Sequence, residues 1–383
     1  MTLEQYRLLH HWTVYIAPLL CISPSSQTNS FQMYLTPMAL CDPNSPLRHA
    51  VLSIAASHLA TSDSHLESGQ NLALAAQGHR LAAIASLRKR LGEDPSTTAN
   101  NDILLASILL LEMSKQFDNN GQNQEGDVNH LLGATELIRT RGGLRYLTSP
   151  CGRFLLTQIL YYDLLSAVAK GSEPLICHSG LNETETVPLL LDLESSRGYH
   201  ATILQAVARI SELKKMKDAG CAPATLMVLG QKVKSDLESM DIHGLPSDRA
   251  RTTEAHRSAA FIYLHRVVYD IGAPHALTLY HVRRCIDSLA AVPISSPLVS
   301  AHVWPLFTAG CEATEPRDRE FVKQRLMNMH AMRRIQSIRK VWELMEHVWL
   351  SKDFTHCVEG AEQMSRLGCI EVVKEMGEML HLA

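Results

Sequence analysis

The run that most constrains this chain is apolar on every side. Ile103 to Met113, ILLASILLLEM, carries no polar stripe wide enough to face water. A helix of that composition belongs in the middle of a large bundle, surrounded by other helices. The helical period recurs along the rest of the sequence. Leu47 to Ala60 sets Ala50, Val51, Ile54, Ala55 and His58 at helical spacings. Leu72 to Leu91 continues in Ala-rich turns and ends on Arg88, Lys89 and Arg90, cations that suit a helix C-terminus. Further helices are expected over Asn129–Arg141, Arg153–Ala169, His256–Asp270, Thr278–Leu289, Arg317–Met329 and Met332–Leu350. Period-two alternation is nearly absent, so the expected fold is all-α. Three polar or irregular stretches interrupt it, near 93–101, 117–127 and 178–199. None is long enough to serve as an interdomain linker. A single helical domain over residues 1–383 is therefore expected, and no internal repeat is found.

Composition narrows the function. The core must be built mainly from aliphatic side chains, because aromatics make up only 5% of the 383 residues. Lys and Arg number 36 against 39 Asp and Glu, a formal net charge of −3. That balance argues against electrostatic binding of nucleic acid, which needs clustered excess cations. Nine cysteines lie at 21, 41, 151, 177, 221, 285, 311, 357 and 369, with no C-x-x-C pair. Scattered singles read as reduced thiols of an intracellular protein. The N-terminal apolar stretch Val14–Leu20 is broken by Pro18 and lacks a basic leader, so no signal peptide is expected. No apolar run approaches the roughly 18 to 20 residues of a membrane span.

The common catalytic and nucleotide-binding motifs are missing, including the P-loop, the dinucleotide fingerprint, H-E-x-x-H and G-x-S-x-G. His10 and His11 are adjacent and His275 and His281 are six apart, neither a recognised ligand spacing, so no metal site is expected. Gly142 and Gly143 read as a helix C-cap. Polar groups do interrupt apolar helices in two places, Tyr161-Tyr162-Asp163 and Tyr263-Leu264-His265-Arg266. They have two readings. One is satisfied core polar groups that clamp helices together. The other is donors lining a pocket between helices. His302, Trp304 and Phe307 form a third group, with the same choice between a packed corner and a pocket wall. The late methionines, Met327 to Met379, read as core.

Several segments together resemble the fungal-specific transcription factor domain, the helical regulatory region that follows the zinc cluster in many fungal activators. They are PLRHAVLSIAASHLA (46–60), HLLGATELIRTRGG (130–143), AAFIYLHRVV (259–268), VWPLFTAGCEATEPRDR (303–319) and VWELME (341–346). The resemblance covers almost the whole chain and implies an all-α regulatory scaffold. The family's six-cysteine DNA-binding module has no counterpart here, since Cys21 and Cys41 cannot form it. Direct DNA binding is therefore not expected. The resemblance implies three functions: a regulator acting through a partner protein, a small-molecule sensor, or an enzyme built on the same scaffold. Stand-alone proteins that look like this domain serve as hetero-Diels–Alderases, joining a tropolone-derived quinone methide to a sesquiterpene. The expectation taken from the sequence is this cofactor-free cyclase, with the regulator as its alternative. Tyr161, Tyr162, Tyr263, His265 and His302 are its candidate donors. Trp304, Phe307, Met113 and Phe117 are its candidate substrate-binding wall. The partners expected are apolar small molecules, with room for a protein partner or a homodimer. The location expected is cytoplasmic, or nuclear for the regulator.

Overall fold

A computed structural model describes residues 2–21, 29–62, 66–92, 98–118, 129–141, 147, 149–175, 201–242, 244–376 and 380–382. Among them the fold is all-α, with no strand. The expected helices form, most of them longer than their apolar periods. They are Pro46–Ser62, Leu66–Leu91, Thr98–Ser114, His130–Thr140, Pro150–Lys170, Ser247–Val268, Ala276–Ala290, Pro316–Arg333 and Gln336–Glu359. The stretch near 93–101 was expected to be a loop, but its last residues are helical from Thr98 onward. Most of the other two expected loops, and Gly142-Gly143, lie outside the described residues.

The chain groups into two compact units. The first takes in most residues up to Leu160, together with Arg333–Ser337. It opens with Leu3–His11, whose N-cap Thr2 and Gln5 bond each other's backbone in a capping box. Pro46–Ser62 lies against both Leu66–Leu91 and Thr98–Ser114. In the last of these, every side chain from Asn101 to Ser114 except Ile103 is buried. This is the surrounded helix that its composition demands. Trp12 is fully buried and donates its indole N–H to Thr36 Oγ1 at 3.1 Å.

The second unit is organised on Ser247–Val268, which packs on Ala201–Asp218, Pro223–Glu238, Ala276–Ala290 and Val303–Cys311. Ala259, Ala260 and Leu264 on that helix are fully buried, and the small alanines allow close approach of its neighbours. Trp349 of Gln336–Glu359 donates to the Gly310 carbonyl at 2.7 Å. Gly310 has no room for a side chain: a Cβ there would lie 2.3 Å from Met345 Sδ. The C-terminal helices Ala361–Arg366 and Cys369–Glu375 end the unit.

Candidate functional site

In the second unit the sequence-predicted polar residues are buried, and their hydrogen bonds run mostly between helices. Tyr263 meets Ser211 of Ala201–Asp218, with 3.1 Å between the hydroxyl oxygens. The Ser211 proton goes to the Val207 carbonyl, so Tyr263 is the donor of the pair. Burial pushes the Tyr263 phenol up to about 12. His302, fully buried, sits 3.1 Å through Nε2 from Thr252 Oγ1. Four residues on from Thr252, His256 donates Nδ1–H to the Thr252 carbonyl at 2.7 Å and lies 5.6 Å from the Trp304 ring. Trp304 and Phe307 are each 2% exposed and lie in the packed helix Val303–Cys311.

His265 belongs to a cluster with Phe261, Tyr269 and His281. Phe261 stacks on His281 with centroids 4.4 Å apart, and the two imidazoles lie 5.4 Å apart edge to face. Nδ1 of His265 and Nδ1 of His281 have no hydrogen-bond partner among the described residues. Burial, then the charges of His275 and Lys234, lowers His265 to about 4. Burial, then the neighbouring His265, lowers His281 to about 3. Both imidazoles are neutral at neutral pH.

Tyr161 and Tyr162 are buried on Pro150–Lys170 and meet each other edge to face at 5.6 Å. Asp163 accepts from Leu175 N at 3.0 Å and so ties the turn that follows the helix. Met113 and Phe117 are core residues of the first unit, and the Phe117 ring lies 6.0 Å from His58. His58 donates from Nε2 to the Arg333 carbonyl, so its Nδ1 accepts from His11 Nε2 at 3.0 Å.

A cleft of about 510 Å³ opens in the second unit. It is lined by polar groups that include Gln205, Arg209, Lys232 and Asp236, and by none of the sequence-predicted residues. Among the described residues no three His, Cys, Asp or Glu side chains come together to hold a metal ion. No helix among them is long and apolar enough to cross a membrane.

The sequence reading missed the most heavily charged part of the core. Glu312 and Lys352, each 1% exposed, pair at 2.8 Å. Arg266 adds a two-pronged contact to the same carboxylate, with Nε at 2.8 Å and Nη2 at 2.7 Å, and the Ala273 N–H donates to it at 2.8 Å. Burial pushes the Glu312 carboxyl up, but the Lys352 and Arg266 charges outweigh it and hold it below the usual range. The sequence did carry a signal. Lys352 stands one helical turn beyond Val348 and Trp349, where the buried stripe of its helix calls for an apolar residue.

The buried histidines make stability depend on pH. His256, fully enclosed, is lowered to about 4 by burial. A histidine lowered in the fold stabilises fully above its unfolded value, and that contribution fades as pH falls toward the folded one. Between about pH 7 and about pH 5, His256 alone should cost about 2 kcal/mol. Urea midpoints taken across that range should fall steadily with acidification; a constant midpoint would contradict the neutral, buried assignment.

Tyr263 with Ser211 and His302 with Thr252 join helical segments of the second unit into one packed scaffold. The family model for the fungal specific transcription factor domain matches residues 7–383, and the chain belongs to that family. Comparison with curated proteins and with solved structures finds no match.

Proposed function

We propose that the chain acts in transcriptional control, as a regulatory domain that works through a protein partner. The observation that carries this reading is the reach of the family match, which takes in nearly every residue of both compact units. The internal use of its polar groups supports it. Tyr263 with Ser211, and His302 with Thr252, each tie two helical segments together, which is work in the architecture. With a net charge of −3 the chain offers no bulk excess of cations to neutralise phosphates, so contact with genes runs through another protein. The place of action under this reading is the nucleus. Tethering tests it. Fused to an unrelated DNA-binding module in a reporter strain, the chain should change transcription from the cognate promoter several-fold. An unchanged reporter, with the fusion present at normal levels, would sink the proposal.

A second reading, the cofactor-free hetero-Diels–Alderase, is favoured by the His265–His281 cluster. Two neutral imidazoles there, His265 buried and His281 half-buried, keep a ring nitrogen without a protein partner among the described residues. An imidazole N–H donated to the carbonyl of a quinone methide would lower the barrier to cycloaddition. Holding the terpene beside it would supply effective molarity. Tyr161, Tyr162, Tyr263 and His302 of the same unit are its further donors, with Trp304 and Phe307 as its apolar contacts. Purified protein mixed with the two reaction partners decides this: a product ratio identical to the uncatalysed one removes it.

A further inference from the structure

We propose that His49 and His79 form an interhelical site for a divalent transition-metal ion of the zinc or nickel kind, which clips Pro46–Ser62 to Leu66–Leu91 in the first unit. Nδ1 of His49 lies 3.2 Å from Nδ1 of His79, and the ring centroids are 5.4 Å apart. Two nitrogens bonded at about 2.0–2.1 Å to a tetrahedral zinc stand about 3.3–3.4 Å apart. The pair is therefore within about 0.2 Å of the spacing that a shared ion needs.

The two helices hold it there. Ser53, one turn after His49, donates its Oγ–H at 2.9 Å to the carbonyl of Ala76, which stands just before His79. On the other side Ser86 donates to the Asn44 carbonyl at 2.8 Å. Both bonds run in the same antiparallel register as the histidine pair, so the rings are fixed from both sides. Ala50, Ala76 and Ala83 are buried along the same stretch, and their small side chains let the helices approach closely. Only the rings need adjust. The last torsion of a histidine is soft, and a tilt of each ring aims both lone pairs at one point.

Both rings are half-buried, so the site keeps a side open to water, which completes the coordination beyond the two protein ligands. Burial, then the Arg48 charge, lowers His49. Burial, then His49, lowers His79 against the pull of Glu4. Both imidazoles are neutral at neutral pH, the form that binds a metal. Of the charges that act on the pair, Arg48 opposes a cation. Glu4, on the helix Leu3–His11 that packs against Pro46–Ser62, favours one. Without metal, one Nδ1 donates its proton to the other. On metal binding that proton moves to Nε2 of its own ring, and each Nδ1 gives its lone pair to the ion. No group is oxidised or reduced.

The test strips the full chain with EDTA, dialyses it against Ni²⁺ and counts bound ions by elemental mass spectrometry. Nickel is the first probe because imidazole suits it, whereas the thiolates of nine cysteines draw zinc. The wild type should hold one ion more than His79→Gln. His49→Gln should lose the same ion, and the double variant no more than either. The thermal midpoint of the wild type should rise with Ni²⁺ and fall back with EDTA, because the ion binds only the folded pair. A second measurement needs no variant. With Zn²⁺ at about ten times its Kd, modification of His49 and His79 by diethyl pyrocarbonate should slow by about tenfold. The exposed His10 and His347 should react as before. Equal nickel counts in the wild type and both single variants overturn the proposal. So does modification of His49 and His79 at the same rate with and without zinc.

Discussion

Glu312→Gln should lower the stability of the second unit by about 3–5 kcal/mol, the cost of breaking a buried ion pair by removing one partner. Glutamine keeps the shape and can still accept from the Ala273 N–H, so the loss is electrostatic. Lys352 then stands fully buried with no counter-charge, and Arg266 loses the prong from Nε while Nη2 keeps only a neutral acceptor. Burial already pushes the Lys352 ammonium down, and Glu312 is what opposes that. In the variant the lysine must lose its proton or drag water into the core. Lys352→Met in the same background should restore a large part of the loss, since it removes the stranded charge and fills the same space. Urea midpoints for the three proteins measure this. A loss below about 1 kcal/mol in Glu312→Gln would mean that the triad is wet, and the description of the core would be wrong.

Phe307→Ala should cost a comparable amount, about 3–5 kcal/mol, through lost burial and the cavity left behind. Phe307 is 2% exposed in a helix whose neighbours Trp304, Leu306 and Cys311 are equally enclosed. The measurement separates its two readings. A side chain that lines an open pocket is already solvated on one side, and truncation there costs little. A side chain that closes a packed corner costs the full amount. Phe307→Leu, which leaves a smaller cavity, should recover most of the loss. Thermal or urea midpoints decide it, and a near-neutral Phe307→Ala would return Phe307 to the list of pocket residues.

The parts of the fold that were legible in the sequence share one property, a continuous apolar period. Thr98–Ser114 and Pro46–Ser62 were visible because nothing but burial explains runs such as ILLASILLLEM. Other helices escaped for identifiable reasons. Leu3–His11 has a weak apolar face, and its signal was the capping box of Thr2 and Gln5. Ser247–Val268 begins nine residues before its expected start, because SDRARTTEAH reads as a polar loop. In the structure Thr252, Thr253, Glu254 and His256 are buried; Thr252 pairs with His302, Glu254 with Arg257 and Arg284, and His256 with the Thr252 carbonyl. Ala201–Asp218 carries its lysines in the last turns, and they disguise its buried Leu204, Val207 and Ile210.

The candidate site was legible only as a list of residue types. That Tyr263 and His265 lie within an apolar helix is plain from sequence. That Tyr263 is committed to Ser211 depends on a helix well upstream in the chain, and that His265 faces His281 depends on how two consecutive helices pack. The same holds for Glu312 and Lys352, whose pairing no local pattern announces.

The central claim is that this helical chain controls transcription. Its most direct test is transcript abundance of the neighbouring genes after deletion of this one in its native host, with the end products measured in parallel. The account predicts that those transcripts collapse or rise several-fold together, and that restoring the chain restores them. Unchanged transcripts with a lost or stereochemically scrambled product would contradict it and make the protein a catalyst.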